Sequence, residues 1–196
     1  MKRIIFLSAL VLIFASESRA QFEQGRSEIS FLGSLGSDSY KQSYGGAYPF
    51  SSSQNQTYLS LATTYDYYVS NGFSLEPEVS MAWIERSSPA IFLLANLSYT
   101  HMIPHSNVAA FGRVGYGIAN GAESPMYEGA LIKMMDGLKI GVFNAGVGTK
   151  ILASKSVIVR LELNYRSQSW KEDDYGLGKD TKMSNLGLFT GISFLF

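Results

Sequence analysis

Leu186-Gly187-Leu188-Phe189-Thr190-Gly191-Ile192-Ser193-Phe194-Leu195-Phe196, the last eleven residues, decide how the rest of the chain is read. Side chains of a strand alternate between its two faces. Leu186, Leu188, Thr190, Ile192, Phe194 and Phe196 therefore form an almost wholly apolar row on one face. Such a row has to be buried against protein or face lipid. The question for everything upstream is whether it supplies further strands of the same kind.

The opening residues stand apart from this pattern. Met1-Lys2-Arg3 is basic, Ile4 to Ala15 is apolar, and Ser18-Arg19-Ala20 places small residues at −3 and −1 of a cut after Ala20. This predicts a signal peptide over residues 1–20, with one barrel domain over 21–196. The apolar centre is short of the ~20 residues that a spanning helix needs. Removing the leader takes away Lys2, Arg3, Arg19 and Glu17, so 16 basic and 16 acidic residues become 13 and 15, a net charge of −2. That balance gives no reason to expect a nucleic-acid partner. Cysteine is absent, which excludes disulfide scaffolds and thiolate metal sites.

Dispersed alternation recurs in segments of about ten residues, the pattern of a transmembrane barrel. The predicted strands are Glu28 to Leu35, Thr57 to Val69, Phe73 to Trp83, Ile91 to Thr100, Val108 to Ile118, Leu138 to Ile151, Val157 to Arg166 and Leu186 to Phe196. Ser70-Asn71-Gly72 reads as a tight hairpin turn, because Asn-Gly tolerates positive φ. Ile103 to Ser106 and Ala153 to Ser156 read as the other short turns. Polar stretches at 36–56, 120–137 and 167–182 read as long loops, the second holding either a short helix near Tyr127 to Met135 or an upward extension of the next strand. Two irregularities are predicted. Pro77 lacks an N–H within a closed sheet and calls for a bulge or local break, and the alternation of Leu138 to Ile151 changes phase near Val142-Phe143, as a bulge would cause.

Eight strands, with short turns at one end and longer connections at the other, give an all-β, eight-stranded antiparallel up-and-down transmembrane barrel. Outward aromatics fall into two belts: Tyr65, Tyr67, Phe73, Tyr99, Phe194 and Phe196 near the short turns, and Trp83, Tyr116 and Tyr165 near the other end. Aromatic girdles mark membrane interfaces. The whole stretch after the leader resembles the small OmpA/OmpX-type outer-membrane barrels. The resemblance rests on Ser74-Leu75-Glu76-Pro77-Glu78, Phe111 to Gly117, Asn144 to Gly148 and the terminal Phe. It implies residence in the bacterial outer membrane, with lipid and the outer-membrane assembly machinery as partners. It also implies that Phe194 and Phe196 form the signal which that machinery reads. With Phe196 read as the end of the closing strand, no periplasmic domain is expected after it, so the resemblance does not imply anchoring to peptidoglycan.

The inward faces carry charge: Glu28, Asp66, Glu76, Glu78 and Glu162 against Lys150, Arg113, Arg160 and Arg166. Ionised groups in a narrow barrel have to be paired, and eight strands leave only enough room for side chains to fill. A lumenal ionic network, with no catalytic, cofactor or metal site, is the expectation. The carboxylate pair Glu76 and Glu78 is open to an acid–base reading, but arginines face it. His101, His105 and Ser106 belong at the short-turn end, and Glu172-Asp173-Asp174 with Asp180 reads as a solvated loop more readily than a cation site. The leading functional class is a non-enzymatic barrel whose loops serve envelope integrity or contact an unknown extracellular ligand. A small pore for ions or solutes and an outer-membrane lipid-modifying enzyme are the alternatives.

Overall fold

A computed structural model describes residues 22–44, 50–84, 89–120, 138–174 and 177–196. They form eight antiparallel strands: β1 (Ser27–Tyr44), β2 (Phe50–Ser70), β3 (Phe73–Ile84), β4 (Ala90–Met102), β5 (Val108–Asn120), β6 (Leu138–Leu152), β7 (Val157–Asp174) and β8 (Leu177–Leu195). Each strand pairs with its neighbours in sequence, and β8 pairs with β1 to close the barrel. The seam is completed by the last residue: Phe196 donates its N–H to the Ser27 carbonyl and accepts from the Ser27 N–H, both at 2.9 Å. The apolar row of the closing stretch thus faces outward beside that of β1, as Ile29↔Phe194, Phe31↔Ile192 and Leu35↔Leu188 show.

Alternation sets inside and outside throughout. Leu35, Val79, Val147 and Leu188 are each more than half exposed, whereas Glu28, Glu76, Arg160 and Lys150 between them are fully enclosed. A chain that wraps its charges and shows its leucines to the surroundings is inverted with respect to water and matched to lipid. Closure leaves no free sheet edge, so each strand pairs on both sides. Among the described residues no helix is long and apolar enough to cross a membrane.

The short turns are built as their residues predict. Gly72 sits at φ 79°, with a Cβ position 2.5 Å from the Thr100 carbonyl oxygen, so a side chain there would meet both torsional and steric cost. The Ser106 hydroxyl donates to the Ile103 carbonyl at 2.9 Å and accepts from the Val108 N–H at 3.2 Å, which accounts for it as a turn residue.

Several expectations are corrected. The stretches 36–56 and 167–182 are largely strand: β1 and β2 stay paired to Tyr44↔Phe50, and β7 and β8 to Asp174↔Leu177. Among the described residues, β3 reaches Ile84 opposite Tyr58 while β2 extends back to Phe50, eight residues further, or about 26 Å at ~3.3 Å per residue. Their serines and glycines read as loop because neither face of a sheet standing clear of lipid needs to be apolar. At Pro77 the expected local break is present, but without a shift of register. The β3–β4 ladder runs unbroken through Pro77↔Ala95, and the β2–β3 pairs stop at Thr64↔Glu78 and resume at Tyr67↔Leu75 in the same register. The missing donor is accommodated as a gap in one ladder, and the bulge lies lower, between Tyr68 and Ser70. There is also no change of phase at Val142. Ile140, Val142 and Asn144 all point inward, and the shift occurs higher, where Ala119↔Ile140 gives way to Asn120↔Leu138. The helix expected near Tyr127 to Met135 and the leader lie outside the described residues.

The interior is layered. At the end away from the short turns, Tyr58, Phe92, Leu94, Val142 and Met183 pack with small residues into an apolar cluster. At the short-turn end a second cluster joins Tyr68, Met102, Ala109, Leu152, Ile158 and Leu195 to Phe22, which precedes β1. The charges lie between them.

Candidate functional site

Nine ionisable side chains on six strands converge in the lumen, all with side chains at 0–5% exposure. Their strands place them by parity alone: Glu28 on β1, Asp66 on β2, Glu76 and Glu78 on β3, Arg113 on β5, Lys150 on β6, and Arg160, Glu162 and Arg166 on β7. What parity cannot say is who meets whom across the barrel.

Arg113 is the hub of the upper part. Its Nε donates to Glu162 at 2.7 Å, and its Nη1 donates to Glu78 at 2.7 Å and to Glu76. Arg166 pairs with Glu78, donates to Ser80 at 3.0 Å, and has its guanidinium 5.1 Å from the ring centres of both Phe92 and Phe189. That double aromatic contact seats a cation against the apolar cluster above it. Arg160 links downward: it reaches Glu162 at 2.9 Å and Glu76 at 3.3 Å, and stands 3.7 Å from Asp66.

The lower part centres on Lys150. Its ammonium donates to Glu28 at 2.7 Å and to the Tyr68 hydroxyl at 3.1 Å, and lies 5.4–5.7 Å from the ring centres of Phe22, Tyr68 and Phe111. Tyr68 donates its own hydroxyl to Glu28 at 2.9 Å. Asp66 accepts from Ser74 at 2.8 Å, while its Oδ2 has no hydrogen-bond partner among the described residues and lies 3.7–3.8 Å from Arg160 and Lys150. Neutral amides fill the remaining width. Asn144 donates to Asn96 at 2.7 Å, and Asn164 to Glu162 at 2.8 Å. Gly146 leaves room for this group, since a Cβ on it would lie 2.1 Å from a Glu162 carboxylate oxygen and displace that side chain from its bonds to Arg113 and Asn164.

Five aromatic partners went unnoticed in the sequence, Phe189 beside Arg166 among them. Tyr68 and Phe111 share the parity of Asp66 and Arg113, so the signal was present, but apolar bulk hid their cation contacts. Phe92 was hidden in the same way. Phe22 lies before the first strand, where no periodicity exists to place it.

On the outer wall Phe194 and Phe196 are 47% and 60% exposed, beside the seam. Tyr65, Tyr67, Trp83, Tyr116 and Tyr165 are exposed outward, and Phe73 packs on Tyr99 with ring centres 4.5 Å apart. Among the described residues no cluster of His, Cys, Asp or Glu has the grouping of a metal site. Glu172 and Asp180 lie in strand, paired with Lys179 and Lys171.

Strand pairing, closure and the apolar exterior define the class: an eight-stranded, up-and-down antiparallel transmembrane barrel. No protein-family model matches the chain, and no curated protein does. Solved structures similar to it include the outer membrane protein OprG of Pseudomonas aeruginosa, at 12% identity over 89% of this chain and 97% of that one, with a TM-score of 0.49. The N-terminal β-barrel domain of OprF from the same organism gives 12%, 88%, 98% and 0.49. Neisserial surface protein A gives 10%, 83%, 96% and 0.43. Likenesses this remote add nothing to what the strand register already establishes.

Proposed function

We propose that this protein is a non-enzymatic integral barrel of the bacterial outer membrane whose lumen is closed to solutes, and whose tall rim serves envelope integrity or surface contact. The observation that carries the closed lumen is the Arg113 hub, where one guanidinium ties together carboxylates from β3 and β7 across the interior. A continuous water path would have to part those bonds, and each charge so stranded costs several kcal/mol. Closure also leaves the paired carboxylates occupied as counter-ions, which argues against acid–base chemistry at Glu76 and Glu78. Placement in the outer membrane is supported by the leader-like N-terminus, by spanning through closed strands, and by a rim in which β1, β2, β7 and β8 rise beyond the others.

Planar-bilayer recording tests the reading. The purified barrel is expected to show little steady conductance, and an Arg113→Ala variant to show more. Large, stable, ion-selective currents through the unaltered protein would overturn the closed lumen in favour of a pore.

A further inference from the structure

The residues before β1 do not simply lead into it. From Phe22 to Arg26 the chain folds across the short-turn mouth and is tied to β2 and its turn. Gly25 N–H donates to the Tyr68 carbonyl at 2.8 Å, Tyr68 N–H to the Arg26 carbonyl at 3.0 Å, and Gly72 N–H to the Phe22 carbonyl at 2.8 Å. The Gln24 N–H also donates to the Asn71 side chain at 3.2 Å. Glu23 and Gln24 are exposed, as is Gly25, yet Phe22 is fully buried. Its ring centre is 5.5 Å from that of Tyr68 and 5.6 Å from the Lys150 ammonium. A segment exposed on its outer side, with one anchor turned into the lumen, covers the mouth without belonging to the wall.

We propose that Phe22–Arg26 is a strap that gates the short-turn mouth: seated, it shields the Lys150–Glu28 pair from water, and lifted, it opens a vestibule that ends at the Arg113 layer. The strap contributes no ladder strand, so it can leave while the barrel stays closed. Three backbone bonds, one bond to the Asn71 side chain and one ring hold it, the scale of a local opening and not of unfolding. Lys150 keeps its bonds to Glu28 and Tyr68 and the rings of Tyr68 and Phe111 when the strap lifts, so the cation is still partly enclosed in the open state. The gate rests on the closed-lumen reading, because a vestibule has meaning only if the layer above it stays shut.

The chain has no cysteine, so one thiol can report on the mouth. Ala109 is fully buried in the same lower cluster as Phe22. In an Ala109→Cys background, labelling by a small water-soluble thiol reagent in detergent is expected to be slow. Adding Phe22→Ala is expected to make it about tenfold faster or more, which is the loss of about 1.4 kcal/mol of closure. Phe22→Leu, which still fills the mouth, is expected to restore most of the protection. The heat-dependent gel shift of the folded barrel, measured on every variant, separates lifting from unfolding. Equal labelling with and without Phe22 in barrels that are folded would overturn the strap, whether both are fast or both slow, and so would a Phe22→Ala chain that no longer folds at all. Bilayer conductance of the Phe22→Ala barrel should stay low. If labelling rises as expected but current rises with it, the strap stands and the Arg113 seal fails, so the two ideas are judged separately.

Discussion

Arg113 and Asp66 share one lumen, one fold and almost complete burial, yet their surroundings differ in kind. Around Arg113, three carboxylates are bonded directly, two of them at 2.7 Å. Around Asp66, the nearest cationic nitrogens stand off at 3.7 and 3.8 Å, and one carboxylate oxygen has no hydrogen-bond partner among the described residues. The difference follows from where the arms start. Arg113 projects from β5 toward acids on β3 and β7, while Asp66 shares Arg160 with Glu76 and Glu162 and shares Lys150 with Glu28. Burial alone does not make an ion pair tight; it makes the geometry of the pair decisive, since charges about 4 Å apart attract by about 4 kcal/mol at an effective dielectric of ~20 and about 1 in water.

The largest expected effect is at the tight end. Arg113→Ala removes the cation shared by three buried carboxylates, leaving Glu76 and Glu162 to divide Arg160 and Glu78 to Arg166, and should lower stability by about 3–5 kcal/mol, as read by denaturant unfolding in detergent or vesicles. Pairing it with Glu78→Gln should recover part of that loss. A cost near that of a surface change, or no recovery in the double variant, would mean that the hub is hydrated and the contrast with Asp66 is empty.

The next effect is on the wall around both sites. Leu188 is 57% exposed on the outer face of β8, and Leu188→Arg should cost about 2–4 kcal/mol if that face lies near the bilayer midplane. Refolding into vesicles of defined lipid measures it. A neutral result would remove the lipid that makes the interior the only place for charge.

The smallest effect belongs to Asp66. Asp66→Asn keeps the acceptor for Ser74, and the charge attraction it forfeits at 3.7 and 3.8 Å is offset by no longer burying a carboxylate, so the net cost should be about 1 kcal/mol or less. Glu76→Gln, which weakens bonds to both Arg113 and Arg160, should cost clearly more under the same unfolding assay. Equal losses at the two positions would erase the distinction between a tight and a loose part of the network.

Most of the barrel wall was legible because period two is a local property. Tyr65 and Leu188 point out and Arg160 and Glu162 point in for the same reason, that adjacent residues of a strand face opposite ways. Legibility failed where that rule carries no contrast. In residues 36–56 and 167–182 both faces are polar, so strand resembled loop. At Val142 an apolar residue pointing inward mimicked a phase change, because the upper lumen is itself apolar.

By itself, then, the order of residues determined the number of strands, the face that most of the wall's side chains take, and the fact that five acids and four bases lie inward. Alternation is decided between neighbours and needs nothing distant. The tertiary structure alone decided that Arg113 meets Glu76, Glu78 and Glu162 rather than Asp66, that Lys150 takes Glu28, and that Phe22 covers the mouth. Those pairings join residues from 35 to 122 positions apart, and they depend on the stagger of strands around a closed cylinder, which no local pattern encodes.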